Sequence, residues 1–435
     1  MPSAKNILAN LLIRENRIKY LLWVVLFLVL SVSVYRSIRY TRQTGGTDLR
    51  CRTIGARLLY GNHSPYFYHW NPGDRVYYLD PNDAPARLCN GNVVTPAALV
   101  LVHPLSVFSY HIIRPAWTVI QYILFLTTLL LLCSKRIGTK ELTILAILVT
   151  GFGLSNIWYY HVERGQIYIL YALMLALMYR IYRSSAKWSH AGAGIVCGLF
   201  CYLRPIALIT ALPFLVSKQR RWLMGFAAGL AIGLFIFILP FQNSWQQYLL
   251  AMKEYGNEII NNKDTGPSMP AAWMPAQIEH STNLRLHHNF PTAAIKTFYA
   301  WMEQVHLKIS YPFSLLTYCV LVIIFLIGFR KQRLPSADKL FLFAFLLYIM
   351  LEMFIIANRS AYNQIQWVFP LFLLLKRWFT NYRILFLLFI AVALPLVKPA
   401  SPRAYLFSEI LFLVLLIFTV FAKDDLIKQG SSATS

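Results

Sequence analysis

The sequence predicts an all-α polytopic membrane protein of about twelve transmembrane helices with two long extracytoplasmic loops. Three observations carry that prediction. Apolar residues make up 57% of the 435-residue chain and charged residues only 13%, about half the charge of a soluble domain. The apolar residues gather into runs near the roughly 20 residues that a helix needs to cross a bilayer. Basic residues punctuate these runs on alternate sides, the positive-inside pattern. Alternating ten-residue strands are missing from the sequence, which excludes a barrel. Lys and Arg number 41 against 17 Asp and Glu, a net charge of +24. No separate basic domain could wrap a nucleic acid. The excess is assigned to cytoplasmic loops, anionic lipid headgroups and a phosphorylated substrate.

In chain order, residues 1–19 are polar and basic, and 20–34 form the first span. No small-residue cleavage site follows it, so it is read as uncleaved with a cytoplasmic N-terminus. Residues 36–114 form the first outer loop; its apolar part, 95–110, is broken by Pro96 and Pro104 and reads as interfacial. Spans follow at about 115–134, 141–159 and 166–182. The stretch 191–217 is too long for one span and too short for two, and Arg204-Pro205 divides it into two short helices that meet at the outer end. Broken helices at membrane depth occur only where they line a cavity. In the next span, 222–240, Gly225, Gly229 and Gly233 recur every fourth residue, which suits close helix packing. Residues 241–311 form the second outer loop. Spans near 312–329, 339–357, 364–376, 384–398 and 404–422 complete a single integral membrane domain, 1–435, with both termini inside.

In the first loop, Cys51, Ile54 and Leu58 are spaced by three and four, which predicts a short amphipathic helix lying apolar side down on the outer membrane face. Thr47 or Asp48 caps its start, and Gly61 with Pro65 ends it. Asp48 then stands at a helix N-terminus directly after the first span, where the dipole favours a carboxylate. Such a carboxylate can act as general base toward a hydroxyl, although a plain cap is the commoner role for the pattern. Arg204, Glu163, Arg164 and Glu352 lie within or at the ends of apolar runs, which makes them functional candidates. Glu352 equally suits pairing with a cation of a neighbouring span. Arginine matches phosphate through its planar fork, so Arg204 is the first phosphate candidate and Arg164 the next. Aromatic side chains of the first loop, Tyr66 among them, can stack on sugar rings, while interfacial anchoring is their commoner role. His288 in the second loop is a candidate phosphate contact, since imidazole changes charge near neutral pH. Cys51 and Cys89 share the first loop and either form a disulfide or stay free. No nucleotide-binding glycine loop, Asp-x-Asp pair or HExxH motif occurs, so no cofactor or metal is expected.

Asp48-Leu49, a helix with small residues, Leu58-Leu59-Tyr60-Gly61 and then Pro65-Tyr66 resemble the first outer loop of glycosyltransferase family 87. Glu163-Arg164-Gly165-Gln166, just before a span, resembles the family's Gly-Gln-x-Asn signature. Gly194 and Gly198 followed by Leu203-Arg204-Pro205 resemble its Gly-x-x-x-Gly and Lys-Pro signature. Order and spacing agree over residues 45–240. The sequence departs where Arg50-Cys51-Arg52 replaces a tyrosine-bearing stretch, where Tyr168 replaces Asn and where Arg204 replaces Lys. These departures bear on donor and acceptor more than on fold. The resemblance implies a GT-C fold and an enzyme similar to polyprenyl-phosphate-mannose-dependent α-(1→2)-mannosyltransferases. Such an enzyme moves a sugar, mannose or a relative such as arabinose, from a polyprenyl phosphate to a lipid- or glycan-linked hydroxyl with inversion. The site would lie on the outer face of a bacterial cytoplasmic membrane. The resemblance implies Asp48 as the catalytic base, with Arg204, Arg164, Gln166 and Tyr66 toward the substrates. Two alternatives differ in sequence signature. A lipid-sugar flippase should show an internal repeat, and an O-antigen ligase or polymerase would lack an aspartate directly after the first span. Asn62-His63-Ser64 and Asn358-Arg359-Ser360 are glycosylation acceptor sequences, which leaves an endoplasmic reticulum location open.

Overall fold

The structure, a computed structural model, describes residues 4–43, 46–80, 89–90, 92–260, 294–295, 311–332, 335–355, 359–396 and 402–422. The described chain is helical throughout, apart from turns and one two-residue antiparallel pair, β1 (Ala294–Ile295) with β2 (Arg359–Ser360). Helix α1 (Ala4–Gln43) runs beyond the expected end of the first span. Three helices fill the expected first loop and its exit: α2 (Thr47–Tyr60), α3 (Pro96–Ser106) and α4 (Tyr110–Leu132). Next come α5 (Thr139–Gly153), α6 (Asn156–Arg164) and α7 (Tyr168–Tyr182). The divided stretch is α8 (Ser189–Leu203), a 3-10 segment Pro205–Ala211 and α9 (Leu212–Val216), with the break at Arg204-Pro205. Proline lacks a backbone N–H and cannot continue the helical ladder. Helix α10 (Arg220–Gly233) passes through a π-turn and a 3-10 turn into α11 (Gln242–Ile260). The remaining helices are α12 (Tyr311–Arg330), α13 (Ala337–Ile355), α14 (Val368–Trp378), α15 (Tyr382–Leu396) and α16 (Pro402–Phe421).

Helix occupies each expected span, but the helices differ in length. Among the described residues, five are long and apolar enough to cross a membrane, or six if α5 and α6, bent by 64°, count as one broken span. The others are shorter, or, like α13, carry more charge. Helix α13 is buried from Lys339 through Met350, as expected of a helix that is apolar on all sides, and forms the centre of the core. Helices α8 and α10 touch backbone to backbone. A Cβ added at Gly194 would meet the Trp222 carbonyl, and one at Gly225 the Ala191 carbonyl. Small residues permit that approach.

Ion pairs and hydrogen bonds gather the basic ends of the helices at one end of the bundle. Lys376 of α14 lies 2.7 Å from Glu141 of α5. Arg180 of α7 donates to the Cys133 carbonyl after α4 at 3.1 Å. Tyr179 donates to Asp338 of α13 at 2.6 Å, and Lys339 to the Ala422 carbonyl after α16 at 2.7 Å. The opposite ends of these elements carry Arg164, Tyr168, Arg204, Glu352 and Tyr362.

Helix α2 differs from the surface helix expected. Its N-cap is Gly46, in the left-handed region at φ 54°, with no side-chain cap bond; Thr47 and Asp48 lie inside the first turn. The helix is embedded rather than lying on lipid: Leu49, Arg50, Arg52, Ala56 and Leu58 are all buried. Its glycine and its neighbour's explain this. Gly55 faces Asn92 and Leu99, and Gly165 sits against Leu49, so protein covers the polar side as well as the apolar one. Arg57 reinforces the packing by donating to the carbonyls of Ser106 at 2.7 Å and Phe108 at 2.8 Å. The C-terminus ends at Gly61 as expected, with Asn62 at φ 58° and the His63 N–H donating to the Leu58 carbonyl at 2.9 Å, the bonding of a Schellman motif.

Candidate active site

Asp48, Arg164, Gln166 and Arg204 line one cleft of about 370 Å³, together with Arg52, Tyr168, Tyr171, Tyr248 and Tyr362. Five separate segments supply these residues: α2, the α6–α7 turn, the break after α8, α11 and the 3-10 segment before α14. Gly165 closes α6 in the left-handed region at φ 69°, a conformation glycine adopts at no steric cost. The chain therefore turns sharply, and Gln166 faces α2.

Gln166 is buried and fully engaged. Its Oε1 accepts from Arg52 Nη2 at 2.6 Å, and its backbone carbonyl accepts from Gln121 Nε2 at 2.6 Å. Its Nε2 donates to Asp48 Oδ2. A guanidinium can only donate, so Arg52 fixes which end of the amide faces the carboxylate. Arg52 also donates to the Gly165 carbonyl, which ties the turn to α2. Arg164 Nη1 lies 3.8 Å from Asp48 Oδ1, with both side chains close to 30% exposed. Such an open pair is weak, and the Arg164 side chain lines the cleft beside the carboxylate.

Arg204 is held differently. Its Nη2 donates to Glu352 Oε1 at 2.7 Å, Gln366 donates to Glu352 Oε2 at 2.8 Å, and Tyr348 donates to Gln366 at 2.9 Å. The guanidinium sits 5.5 Å and 5.3 Å from the ring centroids of Tyr168 and Tyr171, within cation–π range. Arg204 is thus a neutralised cation at the cleft wall rather than an uncompensated charge, and it is the neighbouring-span partner of Glu352.

Tyr66 requires a correction. It is fully buried, its hydroxyl donates to the Val94 carbonyl at 2.8 Å, and its ring lies 5.7 Å from that of Tyr248. It packs behind a cleft residue and does not reach the cleft, because the turn after α2 folds it inward. His288 lies outside the described residues. Cys51 and Cys89 are free thiols: Cys51 donates to Asp80 at 3.1 Å, and Cys89 faces the Ala251 carbonyl at 3.9 Å. Burial first, then the charges of Asp80 and Asp48, push the Cys51 thiol well above its usual range. Among the described residues, no three His, Cys, Asp or Glu side chains converge on a metal position.

The chain matches the family model of glycosyltransferase family 87 over residues 94–357, more than half its length. It belongs to that family. No curated protein matches it. As a family 87 member with several membrane-length helices, it is a multi-pass membrane glycosyltransferase. The match takes in Arg164, Gln166, Arg204 and Glu352, and it extends past residue 240, where the sequence motifs ran out, to the end of α13. Asp48 and Arg52 precede the match and join the cleft through the packing of α2 on α6.

The cleft and its wall also hold residues whose roles the sequence did not reveal. Arg52 stands where the sequence departs from the family pattern, yet it lies one helical turn beyond Asp48 and so on the same face. Glu352 was visible as a charge in an apolar run, but its partner was not. Tyr171, Tyr248 and Tyr362 carry no local signal that separates them from interfacial aromatics.

Proposed function

We propose that this family 87 enzyme transfers a sugar, mannose or a close relative, from a polyprenyl phosphate to a hydroxyl of a lipid- or glycan-linked acceptor, inverting the anomeric centre. The reading places a GT-C fold in a bacterial cytoplasmic membrane, both termini inside and the cleft open to the outer face, with no metal or cofactor taking part. The observation that carries it is the clamped carboxylate: Gln166 occupies Asp48 Oδ2, while Oδ1 lies beside the cleft-facing Arg164.

In this mechanism Asp48 accepts the proton of the acceptor hydroxyl as its oxygen attacks the anomeric carbon. The bond from that carbon to the phosphate oxygen breaks, and the lipid phosphate leaves with the electron pair. Charge developing on the phosphate is met by fixed donors in a partly desolvated site, where such interactions are strongest. Arg164 supplies a guanidinium beside the carboxylate. Arg204 presents a guanidinium already oriented by Glu352, a hydrogen-bonding fork that needs no reorganisation. The tyrosines of the wall offer aromatic faces and hydroxyls to the sugar.

The test uses the purified full-length protein in lipid vesicles with polyprenyl-phosphate mannose and extracted membrane glycolipids. Asp48→Asn keeps the shape and the Gln166 contact but removes the base. Transfer should fall by about 10²-fold or more, the contribution of a positioned general base, with thermal unfolding unchanged. Transfer at the wild-type rate would overturn the base assignment.

A further inference from the structure

A second cleft, of about 410 Å³, opens between the C-terminal end of α2 and the junction of α10 with α11. Its chemistry contrasts with that of the first. Among the described residues, its lining has no Asp, Glu, Lys or Arg, although the chain carries +24 overall. Instead Asn62, Gln242, Asn243 and Gln247 bring four amides to one space, with Ser64 and the ring of Phe241 beside them. Gln247 adds a more specific observation, because its Oε1 is buried with no hydrogen-bond partner among the described residues. Such an acceptor costs free energy until a donor reaches it.

The backbone is built to open this space. A π-turn at Leu234–Ile238 and a 3-10 turn at Leu239–Phe241, around Pro240, interrupt the ladder between α10 and α11. Such π-turns recur at functional sites. Asn62 stands at φ 58° across the gap. Phe241 is fixed by Tyr60, whose ring lies 5.6 Å away at 65° and stacks on His103 at 3.6 Å.

We propose that this cleft binds uncharged sugar rings and, resting on the glycosyltransferase reading above, that those rings belong to the acceptor glycan. Each amide and hydroxyl both donates and accepts, which is what neighbouring sugar hydroxyls require, and Phe241 supplies an apolar face. A phosphate or sulfate would find no lysine or arginine in this lining, only the imidazole of His63, and an acyl chain would strip water from the amides without replacing it. The two clefts share walls. Tyr248 lines the first and Gln247 the second, neighbours on α11. Along α2, Asp48 and Leu59 stand about 16 Å apart at the helical rise. A glycan of several rings, anchored in the second cleft, would reach Asp48 with its terminal hydroxyl.

The experiment is saturation-transfer NMR on the full-length protein in nanodiscs, with α-mannobiose, maltose and cellobiose as probes and inorganic phosphate as competitor. At least one disaccharide should bind. Asn243→Leu with Gln247→Leu should weaken it about tenfold, equivalent to 1.4 kcal/mol, while Asp48→Asn binds as wild type does. Asn243→Ala, a change at an exposed position, should weaken binding in the same direction and serves if the double variant misfolds. The proposal is overturned if none of the three binds, if phosphate displaces the sugar, or if Asp48→Asn abolishes binding that the Leu variants keep. If disaccharide binding behaves as expected but Asp48→Asn transfers sugar normally, the proposed mechanism falls and the sugar subsite stands.

Discussion

Glu352 shows how a single residue changes meaning once its partner is known. In the sequence it is an acidic interruption of an apolar helix. In the structure it is wholly buried and compensates Arg204 at the cleft wall. Glu352→Gln would leave the arginine charged and largely desolvated with half its partner, and breaking a buried pair from one side costs about 3 kcal/mol. Thermal unfolding of the purified protein should register that loss, and a stability equal to wild type would show that the pair is not compensating. Cys51 gives a prediction in pH. Its thiol is raised in the folded chain, by burial and then by Asp80 and Asp48, while an unfolded cysteine loses its proton near pH 8.5. Above that pH the unfolded state binds fewer protons than the folded state, so stability present at neutral pH is lost as the solution becomes alkaline. Cys51→Ser should flatten the decline between pH 8 and 10 in chemical denaturation. An unchanged decline would assign it to other groups.

At the scale of elements, the contact between α2 and the α6–α7 turn decides where the carboxylate stands. Gly165 is the hinge of that contact. A Cβ there would meet the side chain of Leu49, and the positive φ costs a non-glycine residue roughly 1–2 kcal/mol. Gly165→Ala should therefore displace α2 and Asp48 together. A shift of about 1 Å can cost 10²-fold in rate, so transfer should collapse in a chain that still folds, as monitored by size-exclusion chromatography beside the rate assay. Wild-type activity would detach this turn from the site. The element shows what the sequence could reveal. The spacing of Cys51, Ile54 and Leu58 predicted a helix ending at Gly61, since hydrophobic period and glycine stops are local properties. Its burial was not legible, because what covers the polar face is Gly165 and Asn92, residues far along the chain. For the same reason Asp48, Arg164, Gln166 and Arg204 could be singled out one at a time, but the order in which they hold one another could not. Tyr66, selected as an aromatic of the loop, faces inward because a turn residue directs it, and no pattern in its neighbours encodes that direction.

Over the whole molecule, charge and cleft lie at opposite ends of the same helices. Helix α7 carries Tyr168 at the cleft and Arg180 at the other end, where Arg180 joins the chain after α4. Helix α14 follows Tyr362 and ends in Lys376, which pairs with Glu141 at the start of α5. The alternation of basic loops was legible because it repeats along the chain, whereas the lengths of the spans were not, since packing inside a protein lets a short helix stand where an isolated one would need more apolar residues. The run Arg220–Glu254 makes the polarity concrete. Its 35 residues reach about 52 Å at the helical rise, well beyond a hydrocarbon core of about 30 Å. It starts at the basic end, so its far portion, α11, projects past the core beside the cleft. In the proposed orientation, the positive-inside rule puts the cleft on the outer face. Cysteines placed at Asn71, an exposed position in the expected first outer loop, and at Ser185, between the basic ends of α7 and α8, test that assignment in intact cells. Asn71→Cys should react with a membrane-impermeant maleimide and Ser185→Cys only after permeabilisation. The reverse pattern would turn the molecule over, keep the architecture intact, and place the sugar donor in the inner leaflet.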